Sequence, residues 1–322
     1  MADDRLRLVF VCCHPLLPIE AQAALTLRMV AGLSTRQVAR GFLQPEATVA
    51  QRIVRAKRTL TEAGVAFSVP DRDEWPGRLP GVLRVVYLVF NEGHTAAEGP
   101  DLTRPDLCEE AIRLGRLLAQ LLPGGGEILG LLALMSYQAS RLATRTDGEG
   151  NVVLLADQDR SRWDRARIAA GNDALRRARL AGPPGPITLQ AAIAACHATV
   201  PSWEETDWPS IVGLYDALAN VDASPVVRLN RAVALAMARG PEEGMAAVHE
   251  LVASQALDGY HLLWATRADL LRRLGRQGEA AVDYERALAL VTNDAESRYL
   301  AARRAECLPH DEQSDTHAGE RG

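Results

Sequence analysis

The spacing of apolar and polar residues predicts helices along almost the whole chain. Val49, Ile53, Ala56 and Leu60, for example, lie three or four residues apart, which places them on one face of a helix. Runs of Val, Ile and Thr that alternate with polar residues, as in half-buried strands, are scarce. The sequence therefore predicts an all-α fold. Helices are predicted over residues 4–13, 19–32, 35–42, 45–63, 79–91, 104–122, 126–143, 158–180, 186–198, 207–220, 225–239, 241–254, 259–274 and 277–290.

Turn-forming residues divide this helical pattern into domains. Proline and glycine are frequent between residues 65 and 80, which is typical of a linker. Asp147-Gly148 and Gly150-Asn151 predict a β-hairpin turn within residues 144–157. The predicted organisation is a helix-turn-helix domain (1–66), a linker (67–80), a helical extension domain (81–200), helical repeats (201–308) and a disordered tail (309–322).

A helical repeat is predicted near the C-terminus. Trp264, Ala268, Ala280, Tyr284 and Ala287 fall at relative positions 4, 8, 20, 24 and 27, the pattern of a tetratricopeptide (TPR) repeat. Small residues in this pattern let two helices approach closely, and the large ring fills the gap beside them. We expect one well-formed TPR-like hairpin with weaker ones upstream, and a protein partner for this region.

The charge distribution directs attention to the N-terminal region. The chain has a net charge of −5, which excludes a wholly basic nucleic-acid coat. Between Glu20 and Glu62, however, seven positive residues face three negative ones, a local charge of +4. Such a local excess of positive charge is typical of a DNA contact.

Residues 31–53 have the pattern of a helix-turn-helix. Ser34 is a good N-cap for the first helix, and Val38 and Ala39 face its partner. If the N-terminal half of the second helix enters the major groove, Thr48, Gln51 and Arg52 face base edges. The residues expected nearer the phosphates are Arg55, Lys57 and Arg58, with Ser34, Thr35 and Arg36 at the start of the preceding helix. An ordinary amphipathic helical hairpin with solvated charges is the alternative interpretation.

These motifs resemble region 4 of extracytoplasmic-function sigma factors, members of the sigma-70 family. The matching residues are Gly32-Leu33-Ser34, Val38-Ala39, Pro45-Glu46-Ala47-Thr48-Val49 and residues 52–57, with Gln37 and Ala47 replacing the usual acidic residue and glycine. The resemblance extends over almost the whole chain. Residues 8–15, 87–93, 107–114 and 157–164 are similar to the subgroup of sigma factors that has a C-terminal TPR-containing extension.

The resemblance implies a cytoplasmic transcription initiation factor. Such a protein recognises the promoter −35 element through the helix-turn-helix and contacts RNA polymerase core, with the extension as a regulatory part. Sigma factors of this kind normally begin with region 2, which melts the −10 element, whereas this chain starts just ahead of the region 4-like segment. We therefore expect the chain as written to contact a −35 element without opening a promoter by itself.

Other classes of function have little support in the sequence. The five cysteines are odd in number and lack a C-x-x-C pattern, so neither a disulfide framework, a zinc site nor a metal cofactor is predicted. A membrane span is not expected, because no apolar run reaches about 18 residues. We expect no enzyme, because the polar cluster at 157–164 is best explained as Asp–Arg pairs that lock helices around Trp163. An enzyme built on that cluster, and a TPR-like interaction scaffold, are the alternatives.

Overall fold

The computed structural model describes residues 2–42, 44–66, 68 and 74–308. These residues form fifteen α-helices and no strand, which confirms the all-α prediction. Two short 3-10 helices, Leu142–Thr144 and Arg160–Arg162, follow α7 and precede α8. The helices are α1 (Ala2–Cys12), α2 (Ile19–Met29), α3 (Thr35–Gly41), α4 (Glu46–Glu62), α5 (Trp75–His94), α6 (Pro105–Leu121), α7 (Gly126–Ala139), α8 (Arg165–Leu180), α9 (Pro186–Ala198), α10 (Trp208–Val221), α11 (Pro225–Arg239), α12 (Pro241–Ser254), α13 (His261–Arg273), α14 (Gln277–Leu288) and α15 (Asp294–Glu306).

Helix starts are well marked in the second half of the chain. The side chains of Asp164, Asp207 and Ser224 cap α8, α10 and α11 by accepting backbone N–H bonds. Proline occupies the first turn of α9 to α12, where a missing N–H costs no hydrogen bond. These signals explain why α9, α11 and α12 begin at the predicted residues. The predicted hairpin turn is present as a single antiparallel bridge between Thr146 and Val152.

Three parts of the predicted helix pattern are wrong. The helix predicted from residue 158 begins at Arg165, because the backbone of Trp163 is extended and Asp164 caps the helix. Helix α5 begins at Trp75, so the last residues of the predicted linker are helical. The proline in its first turn starts the helix instead of interrupting it. Helix α15 was not predicted, because its buried positions are only Ala295 and Leu300 and make a weak apolar stripe. Residues 69–73 of the predicted linker and the predicted tail (309–322) fall outside the described residues.

The first helices and the extension share one hydrophobic core. Phe10 of α1 and Leu27 of α2 belong to the same buried cluster as Val85 and Val89 of α5. The side chain of Arg78 reinforces this contact by donating a 3.0 Å hydrogen bond to the carbonyl of Phe10. The helix-turn-helix is therefore joined to α5 by packing as well as by the chain.

The helices from α5 onward form an array whose last element returns to its first. Successive helices pack against each other, and the segment before α15 contacts the loop after α5. Asn293, 1% exposed, makes the closing contact. Its side-chain nitrogen donates 3.1 Å bonds to the carbonyls of Ala96 and Asp101, and its oxygen caps α15. We call residues 75–308 the closed array.

The predicted repeat residues lie where two helices pack closely. Helices α13 and α14 form an antiparallel hairpin, and Ala268, Ala280, Tyr284 and Ala287 are buried within it. The preceding hairpin, α11–α12, packs closely as well, because a Cβ atom added at Gly244 would lie 2.5 Å from that of Ala236. Helical hairpins are thus present, and their classification as TPR repeats stays a prediction.

Candidate nucleic-acid interface

Helices α2, α3 and α4 form the helix-turn-helix. Gly32, with φ of +77°, ends α2 and lets the N–H of Leu33 donate a 3.1 Å bond back to the carbonyl of Leu27. Val38 of α3 and Val49 of α4 are fully buried where α2, α3 and α4 pack together. This packing fixes the direction in which α4 presents its outer face.

Ser34 has the capping role that the sequence predicts. Its hydroxyl accepts a 3.2 Å bond from the N–H of Gln37, and the side-chain oxygen of Gln37 accepts a 2.8 Å bond from the N–H of Ser34. This reciprocal pair is a capping box. Glutamine closes it as well as an acidic residue does, so the replacement at position 37 leaves the start of α3 intact. Next to the capping box, Arg36 is exposed and Thr35 is half-buried.

One face of α4 is an exposed polar stripe. We define the α4 stripe as Thr48, Gln51, Arg55 and Arg58, all four of which are exposed. Among the described residues α4 packs mainly against α2 and α3, so the stripe faces away from the closed array. Arg58 forms a 2.6 Å ion pair with Glu62, but both side chains are more than half exposed. A pair this exposed is weak enough for Arg58 to exchange it for a phosphate.

Arg52 and Lys57 lie apart from the α4 stripe. Arg52 is half-buried and donates a 2.8 Å bond to the side-chain oxygen of Gln44 in the turn. Lys57 is about 200° around the helix from Arg55, because each residue of an α-helix turns the chain by about 100°. Lys57 is exposed, and its charge opposes the rise that burial causes in the pKa of Cys12 in α1. The predicted contact residues of α4 thus fall into the exposed α4 stripe and two flanks, which are Arg52 on one side and Lys57 on the other.

The polar cluster at 157–164 holds the array together. Asp159 and Asp164 cap the helices that follow them. The buried guanidinium of Arg160 donates to the carbonyls of His197 and Val200, and it lies 4.8 Å above the ring of Trp163. The partners of this arginine are thus backbone carbonyls, whereas Asp164 forms an Asp–Arg pair of the expected kind with Arg167, 3.1 Å apart. All five cysteines are free thiols.

Comparisons with known proteins match two segments of the chain. Residues 7–60, from within α1 to Leu60 of α4, match the family described as sigma-70, region 4. Residues 78–179 match a family of unknown function, DUF6596. A Rhizobium meliloti (strain 1021) protein described as "Uncharacterized protein R00370" is 48% identical over 298 residues, which are 92% of this chain and 70% of that protein. The chain belongs to the same family as that protein.

The N-terminal helix-turn-helix is therefore a sigma-70 region 4-like module, and the interpretation as an ordinary amphipathic hairpin is set aside. The second match begins within α5 and ends within α8, at the start of the closed array. No helix of the described residues is long and apolar enough to cross a membrane.

Proposed function

We propose that the protein is a sigma-70-type transcription factor that recognises a promoter −35 element through α4 and acts with RNA polymerase core in the cytoplasm. The exposed α4 stripe, on a module that matches sigma-70 region 4, is the observation that carries this proposal. The closed array is proposed to regulate the module, and we propose no catalytic role for the chain.

The stripe suits a helix that enters the major groove at its N-terminal end. Thr48 and Gln51 lie in the first two turns of α4, where side chains reach base edges. Glutamine can form a bidentate pair with adenine. Arg55 and Arg58 follow one and two turns later, where the helix leaves the groove and the phosphates come close.

The two flanks are assigned lesser roles. The bond from Arg52 to Gln44 ties its side chain to the turn, so Arg52 is proposed to contact DNA while bracing the start of α4. Lys57 lies apart from the α4 stripe, and its contribution is proposed to come from long-range attraction alone. Thr35 and Arg36 are proposed to contact phosphates beside the groove, while the Ser34 hydroxyl accepts the capping bond of α3.

The shared core gives the closed array a means to influence the module. Helix α2 packs against α3 and α4 on one side and against α5 on the other. A change in the position of α5 would therefore move the base on which α4 rests. We propose that this contact carries the regulatory effect of the array.

Single-residue variants of the full chain test the proposal. Arg55→Ala is expected to weaken binding to every duplex by a similar factor and to lower the salt slope by about one, because one phosphate contact is lost. Gln51→Ala is expected to lose about 1–3 kcal/mol of discrimination at one base pair. Fluorescence anisotropy with duplexes enriched by the full chain from a random pool measures both effects.

Arg176 on α8 provides the matched control, because its side chain is 72% exposed and lies outside the module. Arg176→Ala removes the same charge and should leave the affinity and the salt slope unchanged. Equal losses in Arg55→Ala and Arg176→Ala would contradict the assignment of α4 as the recognition helix.

A protein-interaction scaffold is the second candidate. The hairpin α13–α14 exposes the apolar side chains of Leu262 and Val282, 40% and 51% accessible. A protein partner of the TPR-like region would cover them. Failure of the full chain to enrich any duplex, with or without polymerase core, would favour this candidate over DNA recognition.

A further inference from the structure

Two adjoining cavities lie inside the closed array. Their volumes are about 450 and 670 Å³. Both values fall within the range of pockets that hold small molecules, about 300–1,000 Å³. The cavities share four lining residues: Leu155, His197, Tyr215 and Asn230. We call them the polar cavity and the aromatic cavity.

The wall of the polar cavity holds an arginine without a partner. Arg141 lines this cavity, and its guanidinium makes no ion pair or hydrogen bond with any described residue. Burial disfavours the charged form of this side chain and lowers its pKa to about 10. Its neighbours are treated differently: Arg145 bonds to His94 and Thr95, and Arg160 bonds to backbone carbonyls. A desolvated cation without a partner is costly to the folded state. An anion in the polar cavity would remove that cost.

Two further polar atoms in the same wall have no partner. Neither the side-chain oxygen of Gln138 nor Nδ1 of His197 has a hydrogen-bond partner among the described residues. Both residues line the polar cavity with Arg141. Buried polar atoms are normally hydrogen-bonded, so these two atoms beside the unpaired Arg141 indicate that a bound molecule completes the site.

The aromatic cavity suits a flat apolar group. The rings of Trp203 and Trp208 meet edge to face, with centroids 4.8 Å apart, and His197 stacks on Trp203. Ile211 and Met237 line the same cavity. Because His197 belongs to both cavities, one molecule can place an apolar body against the tryptophans and an acidic group beside Arg141.

We propose that the closed array binds a small organic anion, with its acidic group on Arg141 and its flat apolar body in the aromatic cavity. Gln138 and His197 supply hydrogen bonds beside the acidic group. The proposal concerns the array alone and stands whether or not α4 binds DNA.

Two dyes with the same aryl skeleton test this proposal on the full chain. 8-Anilinonaphthalene-1-sulfonate carries the anion, and N-phenyl-1-naphthylamine lacks it. Arg141→Gln is expected to weaken binding of the sulfonate by about tenfold or more, because a charge-assisted contact is lost. Binding of the neutral dye should change by less than about twofold. Fluorescence titration measures both.

Control measurements separate loss of the site from loss of the fold. Arg176→Gln, on the outside of α8, should bind both dyes as the wild type does. Thermal unfolding of Arg141→Gln without dye should occur at the same temperature or higher, because the variant removes an unpaired desolvated charge. Unchanged sulfonate affinity in Arg141→Gln, or a parallel loss of both dyes, would overturn the proposal.

Competition identifies the acidic group. 1-Naphthoate and 1-naphthyl phosphate share an aryl ring and differ in the anion, since one carries a carboxylate and the other a phosphate. Displacement of the bound sulfonate by either one supports an organic-anion site and names its preferred group. Displacement by neither contradicts it.

Discussion

The outer face of α4 and the interior of the closed array hold arginines in opposite ways. On α4, Arg55 and Arg58 lie on an exposed stripe that faces away from the array. In the array, burial lowers the pKa of Arg141 to about 10 and that of Arg145 to about 9. An exposed arginine keeps its hydration, so it adds little to the free-energy cost of folding. An interior arginine loses its hydration on folding, and other contacts must compensate for that free energy.

The difference fits the two kinds of ligand that we propose for this protein. A row of exposed cations suits an extended polyanion such as DNA, whose phosphates each take one contact. A single enclosed cation suits one acidic group on a molecule small enough to enter. Arg141 stays enclosed only while the array is closed, and the arginines of α4 stay available only while its outer face is uncovered.

The largest expected effect comes from opening the array at Asn293. Asn293→Ala removes the cap of α15 and leaves the carbonyls of Ala96 and Asp101 without their donor. The free energy of unfolding should fall by about 2–4 kcal/mol, as urea denaturation would measure. If the array then opens, sulfonate binding should weaken as well.

A second variant isolates the closing bonds. Asn293→Asp keeps the oxygen that caps α15 but loses the two donors. Asn220→Ala, at an exposed position of α10, is the matched control and should have little effect. Full stability in Asn293→Asp would show that the closing bonds contribute nothing and would weaken the account of a closed array.

The next effect concerns the interior charge around His197. Burial, together with Arg141 and Arg160, lowers the pKa of His197 from 6.5 to about 4. Between these pH values the unfolded chain binds a proton that the folded chain excludes, so stability should fall as the pH drops. The loss amounts to at most about 3 kcal/mol.

Comparing unfolding free energies at pH 7 and pH 4.5 measures this loss. His197→Gln should show a shallower decrease than the wild type, whereas His249→Gln, at an exposed position of α12, should follow the wild type. Identical pH profiles for all three proteins would mean that the interior around His197 is not desolvated.

A smaller effect is expected at the flank of α4. Arg52→Ala should weaken −35 binding by about 1–3 kcal/mol, which anisotropy would measure. Gln44→Ala frees the Arg52 side chain from the turn while keeping its charge. An unchanged affinity in Arg52→Ala on a matched duplex would remove Arg52 from the interface and leave recognition to the stripe.

The smallest effect is expected from the exposed pair Arg58–Glu62. Glu62→Ala should change the free energy of unfolding by less than about 0.5 kcal/mol, because both side chains lie mostly in solvent. It should strengthen DNA binding slightly by freeing Arg58 and removing a negative charge. Weaker DNA binding in this variant would indicate that the pair orients Arg58 for its contact.

Local signals made much of this fold predictable from the sequence. Ser34 predicts the start of α3, and prolines in the first turn predict the starts of α9, α11 and α12. The apolar stripe from Val49 to Leu60 places the exposed face of α4 on the opposite side. These features depend on residues within a few positions of one another.

The features that the sequence does not predict depend on contacts between residues far apart in the chain. Asn293 bonds to a carbonyl 197 positions away, which no local pattern predicts. The sequence does contain the local signal for the start of α15, because Asn293 is a good N-cap and acidic residues follow it. Arg141 follows α7 and has the position of an ordinary cation at a helix end. Its isolation in a cavity appears only when α5, α7, α9 and α11 come together.

A salt titration of the full chain tests whether α4 binds promoter DNA. Duplexes enriched from a random pool would be followed by fluorescence anisotropy, with and without RNA polymerase core. The account predicts binding that weakens linearly with the logarithm of the salt concentration and that tightens when core is added. The absence of any enriched duplex, or an affinity that does not respond to salt, would contradict it.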